Sequence, residues 1–216
     1  MARISAHELK QFLKVYFIMG STNCSIHPIQ VIENAIEGGI TLFQYREKGP
    51  GALQGEQKYI LAKHLQSICR SNGIPFIVND DIELALSIDA DGVHIGQEDE
   101  SAEMVRKRIG DKILGVSVHS YEEAMAALKS GSDYFGLGPV FPTYTKKDTT
   151  PIQGTTLIEE FRKRGIKTPI VGIGGITAEN AATVMKAGAD GISVITAISK
   201  AKSITDAARE LRNNVF

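Results

Sequence analysis

Two carboxylates and three cations carry the clearest chemical signal in this chain: Asp80 and Asp99, with Arg46, Lys48 and Lys146. Two aspartates brought together alone would repel, and one would resist ionisation. With cationic side chains converging beside them, the pattern points to an anion held across a hard divalent cation, Mg²⁺ being the first choice. Such an ion takes one or two carboxylates and shares its other positions with phosphate oxygens and water. A second anion site is indicated by Gly174-Gly175, which follows an apolar run and precedes a helix predicted to start at Thr177. Backbone N–H groups in a turn of that kind hold phosphate well. Histidines offer less. His7, His27 and His64 fall in predicted helices or loops and read as surface or packing residues, His94 lies inside a predicted strand and reads as a satisfied core residue, and His119, next to Ser117, could face the cavity, a weaker reading. No Ser-His-Asp or Cys-His arrangement emerges, so acyl transfer has little support.

These residues need a frame that brings distant segments together. Strands are predicted over 16–19, 41–46, 75–79, 92–95, 113–118, 134–138, 169–173 and 191–195, each separated by room for a crossover helix. Several are apolar at successive positions, as parallel strands covered on both faces require. Capping-box spacing at Ser5/Glu8 and Ser120/Glu123 marks two helix starts, and 178–187 carries a one-sided apolar stripe closed by Gly188. Eight even units, with no composition break and no Gly-rich dinucleotide loop after the first strand, predict a closed α/β fold. The expected architecture is a single (β/α)8 TIM-barrel domain over 1–216, preceded by a short helix at about 5–14. Asp91, Asp133 and Asp190 recur just before three of the strands and read as a shared turn solution, with no chemistry assigned. In such a barrel the chemistry sits at the C-terminal strand ends. Asp80, Asp99, Arg46, Lys48, Ser117 and Gly174 all fall there.

Composition sets limits. With 43% hydrophobic residues, 23% charged and a net charge of −1, the chain can bury a core and has no global field drawing it to nucleic acid or membrane. Any anion must be held by a local site. Two cysteines, Cys24 and Cys69, are too few for a disulfide scaffold or a thiolate metal cluster. The start lacks the apolar core of a signal peptide and no apolar run reaches spanning length, so the cytoplasm is the expected compartment. A homo-oligomer is compatible with all of this.

Five segments in order resemble the thiamine phosphate synthase family: Gln44-Tyr45-Arg46-Glu47-Lys48, Asn79-Asp80-Asp81, Gly96-Gln97-Glu98-Asp99, Pro142-Thr143-Tyr144-Thr145-Lys146 and Gly172-Ile173-Gly174-Gly175. The similarity runs from about Val15 to the final helix. Thr196 stands where serine is usual and keeps a hydroxyl. The resemblance implies a transferase that joins a pyrimidine methyl diphosphate to a thiazole phosphate. It implies that Gln44, Tyr45, Arg46, Glu47, Lys48, Asn79, Ser117 and Lys146 hold the pyrimidine diphosphate. Arg46, Lys48, Ser117 and Lys146 would act in catalysis, with Asp80 and Asp99 on Mg²⁺. Thr143, Tyr144, Thr145, Gly174, Val194 and Ile195 would cradle the thiazole phosphate. The polar segment 143–153 is longer than a usual connection and is expected to close over bound substrate. Two rivals stand beside this reading. One is a thiazole tautomerase on the same barrel, in which a histidine takes the place of Pro139. The other is a non-catalytic phosphate-sensing barrel.

Overall fold

A computed structural model describes residues 4–143 and 151–216. It holds eight parallel strands: β1 Val15–Met19, β2 Leu42–Tyr45, β3 Phe76–Asn79, β4 Gly92–Ile95, β5 Ile113–Val118, β6 Tyr134–Leu137, β7 Ile170–Ile173 and β8 Gly191–Val194. Each pairs with the next, and β8 returns to β1, giving one closed barrel. Helices α1 Ala6–Phe12, α2 Pro28–Gly38, α3 Gly55–Ser71, α4 Ile82–Ser87, α5 Ala102–Ile109, α6 Tyr121–Lys129, α7 Thr156–Lys163, α8 Ala178–Lys186, α9 Thr196–Ser199 and α10 Ile204–Asn213 accompany it. The strands match the predicted ones to within a residue or so at each end.

Alternation along each strand divides the apolar residues into two cores. Phe17, Phe43, Phe76, Val93, Val116, Phe135 and Ile192 point outward into the layer beneath the helices. Tyr16, Leu42, Ile77, Ile113, Tyr134 and Val171 point inward and fill the barrel. The N-terminal helix α1 closes the bottom, with Leu9 and Leu13 packed into that inner cluster. Ser5 starts α1 through a complete capping box with Glu8. The box predicted at Ser120 is only half formed. Ser120 Oγ accepts from Glu123 N, but the Glu123 carboxylate turns to the backbone N–H of His119 at 2.7 Å.

The recurring aspartates are structural. Asp91, Asp133 and Asp190 each accept, through Oδ2, a backbone N–H at the start of the neighbouring strand: Phe76, Leu114 and Ile170 respectively. Arg106 and Arg162 pair with Asp133 and Asp190 at 2.6 and 2.5 Å, so these carboxylates are neutralised at the rim opposite the strand tips. That clamps the register of three strand pairs.

Closure of β8 on β1 leaves no room for a side chain at Gly191, where a Cβ would lie 1.7 Å from the Leu13 carbonyl oxygen. Gly191→Ala should therefore cost about 3 kcal/mol, the upper part of the usual overpacking range, because the clash is with backbone. Urea unfolding measures it, and an unchanged midpoint would contradict this account of closure.

Candidate active site

A cavity of about 830 Å³ opens at the C-terminal strand ends, within the range of roughly 300–1,000 Å³ usual for small-molecule sites. One wall carries charge. Arg46 follows β2, Lys48 lies two residues on, Asn79 ends β3, Asp80 follows it, and Asp99 closes the turn after β4. Lys48 Nζ meets Asp80 Oδ2 at 2.5 Å. Asp80 takes a left-handed backbone conformation with φ 60°, a setting that costs free energy for a residue with a Cβ and is tolerated by aspartate. Its N–H donates to His94 O at 2.9 Å, which fixes the turn beside β4. Asp99 folds back so that Oδ2 accepts from Gly96 N at 2.7 Å.

The two carboxylates are electrostatically linked. Burial raises the Asp99 pKa, and the neighbouring Asp80 carboxylate raises it further. The hydrogen bond to Asp80 raises that of Lys48. Among the described residues, no cluster of three or more His, Cys, Asp or Glu is placed to hold a metal ion. A closed, all-protein metal cage is thus not what these residues build. Two carboxylates beside an open, cation-lined cavity fit an ion that keeps waters and takes further oxygens from a bound phosphate group.

The opposite end is lined by Gly138, Pro139, Pro142, Thr143, Ile173, Gly174 and Gly175, and by Val194 to Ala197 at the tip of β8. Gly174 and Gly175 have φ of 97° and 62°. Side chains there would collide with the loop after β6 as well, since a Cβ on Gly174 would sit 2.7 Å from Pro139 Cβ and one on Gly175 2.4 Å from Pro142 O. The glycines are needed for loop-to-loop packing first, and the turn they form faces the cavity. The short helix α9 follows β8 with no side-chain cap, whereas α8 caps itself through Thr177 and Asn180. An extra helix after the last strand is a common phosphate-binding element of such barrels.

Not every predicted residue reaches the cavity. Tyr45 is buried in the outer layer, stacked on Phe76 at 6.3 Å, because alternation puts Gln44 and Arg46 inward and the residue between them outward. Glu47 braces the loop from below, accepting from Ser21 N at 2.8 Å and Leu53 N at 2.9 Å. It thereby places Lys48 rather than a substrate. Gln44 lies inside the barrel, donating through Nε2 to Tyr16 Oη. Arg46, Lys48, Asn79, Asp80, Asp99, Ser117, Thr143, Gly174, Val194 and Ile195 all line the cavity. Tyr144, Thr145 and Lys146, and most of the predicted closing segment, lie outside the described residues.

Sequence reasoning undervalued two histidines. His119 lines the cavity with Glu123, and its ring Nδ1 is 3.3 Å from that carboxylate. His94 lines it too, hydrogen-bonded through Nε2 to Ser117 Oγ at 2.9 Å. Ser193 was missed altogether; its hydroxyl is buried, its residue lines the cavity, and it has no hydrogen-bond partner among the described residues. Inward alternation on β8 was the available signal. At Pro139 the cavity wall has no group able to move a proton.

The raised pKa of Asp99 has a consequence for stability. A carboxylate whose folded pKa is raised contributes stability below its unfolded pKa, about 4, and loses it as pH rises through the folded value. Without divalent cation, Asp99→Asn should therefore raise Tm at pH 7, with the advantage shrinking as pH falls toward about 4. Melting in chelator across that range tests this, and a less stable variant at pH 7 would contradict it.

Known proteins share this sequence and fold. A thiamine-phosphate synthase from Bacillus cereus is 58% identical over 215 residues, covering 100% of this chain and 96% of that protein. One of the same name from Bacillus thuringiensis is also 58% identical, covering 100% and 98%. The structure of a thiamine phosphate pyrophosphorylase from Pyrococcus furiosus superposes with a TM-score of 0.87 at 36% identity, over 96% of this chain and 97% of that one. The family described as Thiamine monophosphate synthase matches residues 15–198, and the chain belongs to that family of transferases.

Proposed function

We propose that this chain forms thiamine phosphate. It would condense 4-amino-2-methyl-5-hydroxymethylpyrimidine diphosphate with 4-methyl-5-(2-hydroxyethyl)thiazole phosphate, or its carboxylated precursor, and release diphosphate (with CO2 from the carboxylated form). The observation that carries this reading is one cavity with two unlike ends: Arg46, Lys48, Asp80 and Asp99 at one, and the Gly174-Gly175 turn with the tip of β8 at the other. A diphosphate suits the first end and a monophosphate the second. Family membership supports the same assignment.

The chemistry asks little of proton transfer. An aminopyrimidine ring delocalises positive charge on its methylene carbon, so the C–O bond to diphosphate can break before the thiazole nitrogen attacks. The enzyme must then stabilise the departing diphosphate and keep water away. Arg46 and Lys48 supply positive charge on that wall. Asp80 and Asp99 would hold Mg²⁺, which when bound neutralises phosphate charge. Ser117, at the tip of β5, would meet the pyrimidine substrate. Lys146 is assigned to the diphosphate by the family pattern. The cytoplasm, where phosphorylated metabolites are retained, is the compartment this reading calls for.

Pro139 weighs against a tautomerase, which would need a proton carrier at that position. A single incubation with both substrates and Mg²⁺ separates the readings. Thiamine phosphate and diphosphate should appear in equal amounts, and chelation should abolish both. Aromatised thiazole phosphate without coupling would make the chain a tautomerase, and no turnover by folded protein would leave a binding barrel. In the same assay Lys146→Ala should lose about 10²-fold or more in kcat, while Lys147→Ala loses little. Equal effects would remove Lys146 from the site.

A further inference from the structure

A chain of hydrogen bonds runs up the inside of the barrel and ends at the cavity. Gln44 Nε2 donates to Tyr16 Oη, Tyr16 and Tyr134 hydroxyls are 2.8 Å apart, Tyr134 Oη is 2.9 Å from His94 Nδ1, and His94 Nε2 is 2.9 Å from Ser117 Oγ. Four strands contribute: β2, β1, β6 and β4, with β5 receiving the last bond. Tyr16 and Tyr134 are fully buried, and His94 is 9% exposed.

The sequence makes room for this chain. Gly115 lies beside His94 across the β4–β5 ladder and beside Tyr134 across β5–β6. A Cβ there would fall 2.3 Å from Tyr134 Oη and 2.5 Å from His94 Nδ1, in the path of their hydrogen bond. Gly136 lies beside Ser117, and a Cβ on it would sit 3.2 Å from His94 Cε1. Two inward-facing glycines thus frame the imidazole. A buried polar chain of this length costs free energy unless each donor finds an acceptor.

Counting protons sets the direction. Each tyrosine hydroxyl has one proton to give, and burial keeps both rings neutral by raising their pKa values. Tyr16 accepts from Gln44, and among the described residues Tyr134 Oη is the acceptor within reach of its own proton, so donation to Tyr134 is the arrangement that leaves no buried hydroxyl proton unpaired. Tyr134 then gives its proton to His94 Nδ1, which must be the bare nitrogen of a neutral imidazole. The imidazole proton is left on Nε2 and goes to Ser117 Oγ. With its oxygen occupied, Ser117 has its own proton to offer to the cavity.

We infer that His94 is a positioning residue, held by Tyr134 as the Nε2–H tautomer so that Ser117 is presented as a hydrogen-bond donor to an acceptor atom of the pyrimidine substrate. The donor role toward that substrate rests on the function proposed above; the tautomer does not. A serine without this bond would rotate among staggered positions, and its hydroxyl would meet the substrate only part of the time.

Two measurements test it. In ¹⁵N-histidine-labelled protein without ligand, two-bond ¹H–¹⁵N correlation should show His94 protonated on Nε2 and bare on Nδ1. The Nδ1–H tautomer would reverse the chain and overturn the inference. In the coupling assay, His94→Gln keeps a side-chain donor near Ser117 and should stay within about 5-fold of the parent, while His94→Met should lose about 10- to 100-fold in kcat/KM for the pyrimidine substrate. The loss from His94→Met should vanish in a Ser117→Ala background. Additive losses, or equal losses for Gln and Met, would mean that His94 acts by packing alone. If His94→Met fails to fold, the tautomer still decides. If the parent makes no thiamine phosphate, the function reading fails while the tautomer remains measurable.

Discussion

Closure of a parallel barrel imposes two constraints at once, and the remaining features follow from them. All eight strands point the same way, so their C-terminal ends share one rim and residues far apart in the chain become neighbours. Side chains alternate inward and outward, so a strand of four residues offers only two positions to the interior. Asp80 and Asp99 meet because β3 and β4 are adjacent in register. Lys48 reaches Asp80 because β2 lies beside β3 and Glu47 pins the loop between them to Ser21 and Leu53. The opposite rim carries the aspartate–arginine clamps, at the far end of the barrel from the charged cavity.

Among the described residues, the charges lining the cavity are incompletely balanced. Asp80 has Lys48, while Asp99 has one backbone N–H and a like-charged neighbour. Arg46 and Lys48 face the same space. A divalent cation would relieve the carboxylates and a diphosphate would relieve the cations, and each would complete the other's site. On the proposed function, part of the coordination would belong to the substrate, which fits two carboxylates without a dedicated metal cage among the described residues.

Much of this was legible in the residues themselves. The eight apolar runs, the capping box at Ser5 and the turn aspartates stand where the residues put them, because burial on both faces and capping chemistry leave local marks, and Arg46, Lys48, Asn79, Asp80, Asp99 and Ser117 line the cavity. Facing was harder. Tyr45 and Glu47 lie in a segment whose neighbours line the cavity, and contiguity in sequence was taken for contiguity in space, although alternation from Gln44 would have turned Tyr45 outward. His94 was read as a core histidine, and its ring is indeed satisfied, but its partners come from β5 and β6 and depend on the glycines at 115 and 136. Such a pairing has no signature within a short window. The same holds for Gly174, whose close contact is Pro139 on another loop.

On the proposed function, cation and diphosphate would bind as one unit on the wall formed by Arg46, Lys48, Asp80 and Asp99. Thermal unfolding with Mg²⁺ alone, inorganic diphosphate alone and both together tests it directly, since a ligand raises Tm in proportion to how tightly the folded state holds it. The two together should raise Tm by clearly more than the sum of their separate effects, and that excess should disappear in Asp80→Ala. Strictly additive shifts, or an excess that survives loss of Asp80, would mean that the two ligands bind independently of that wall.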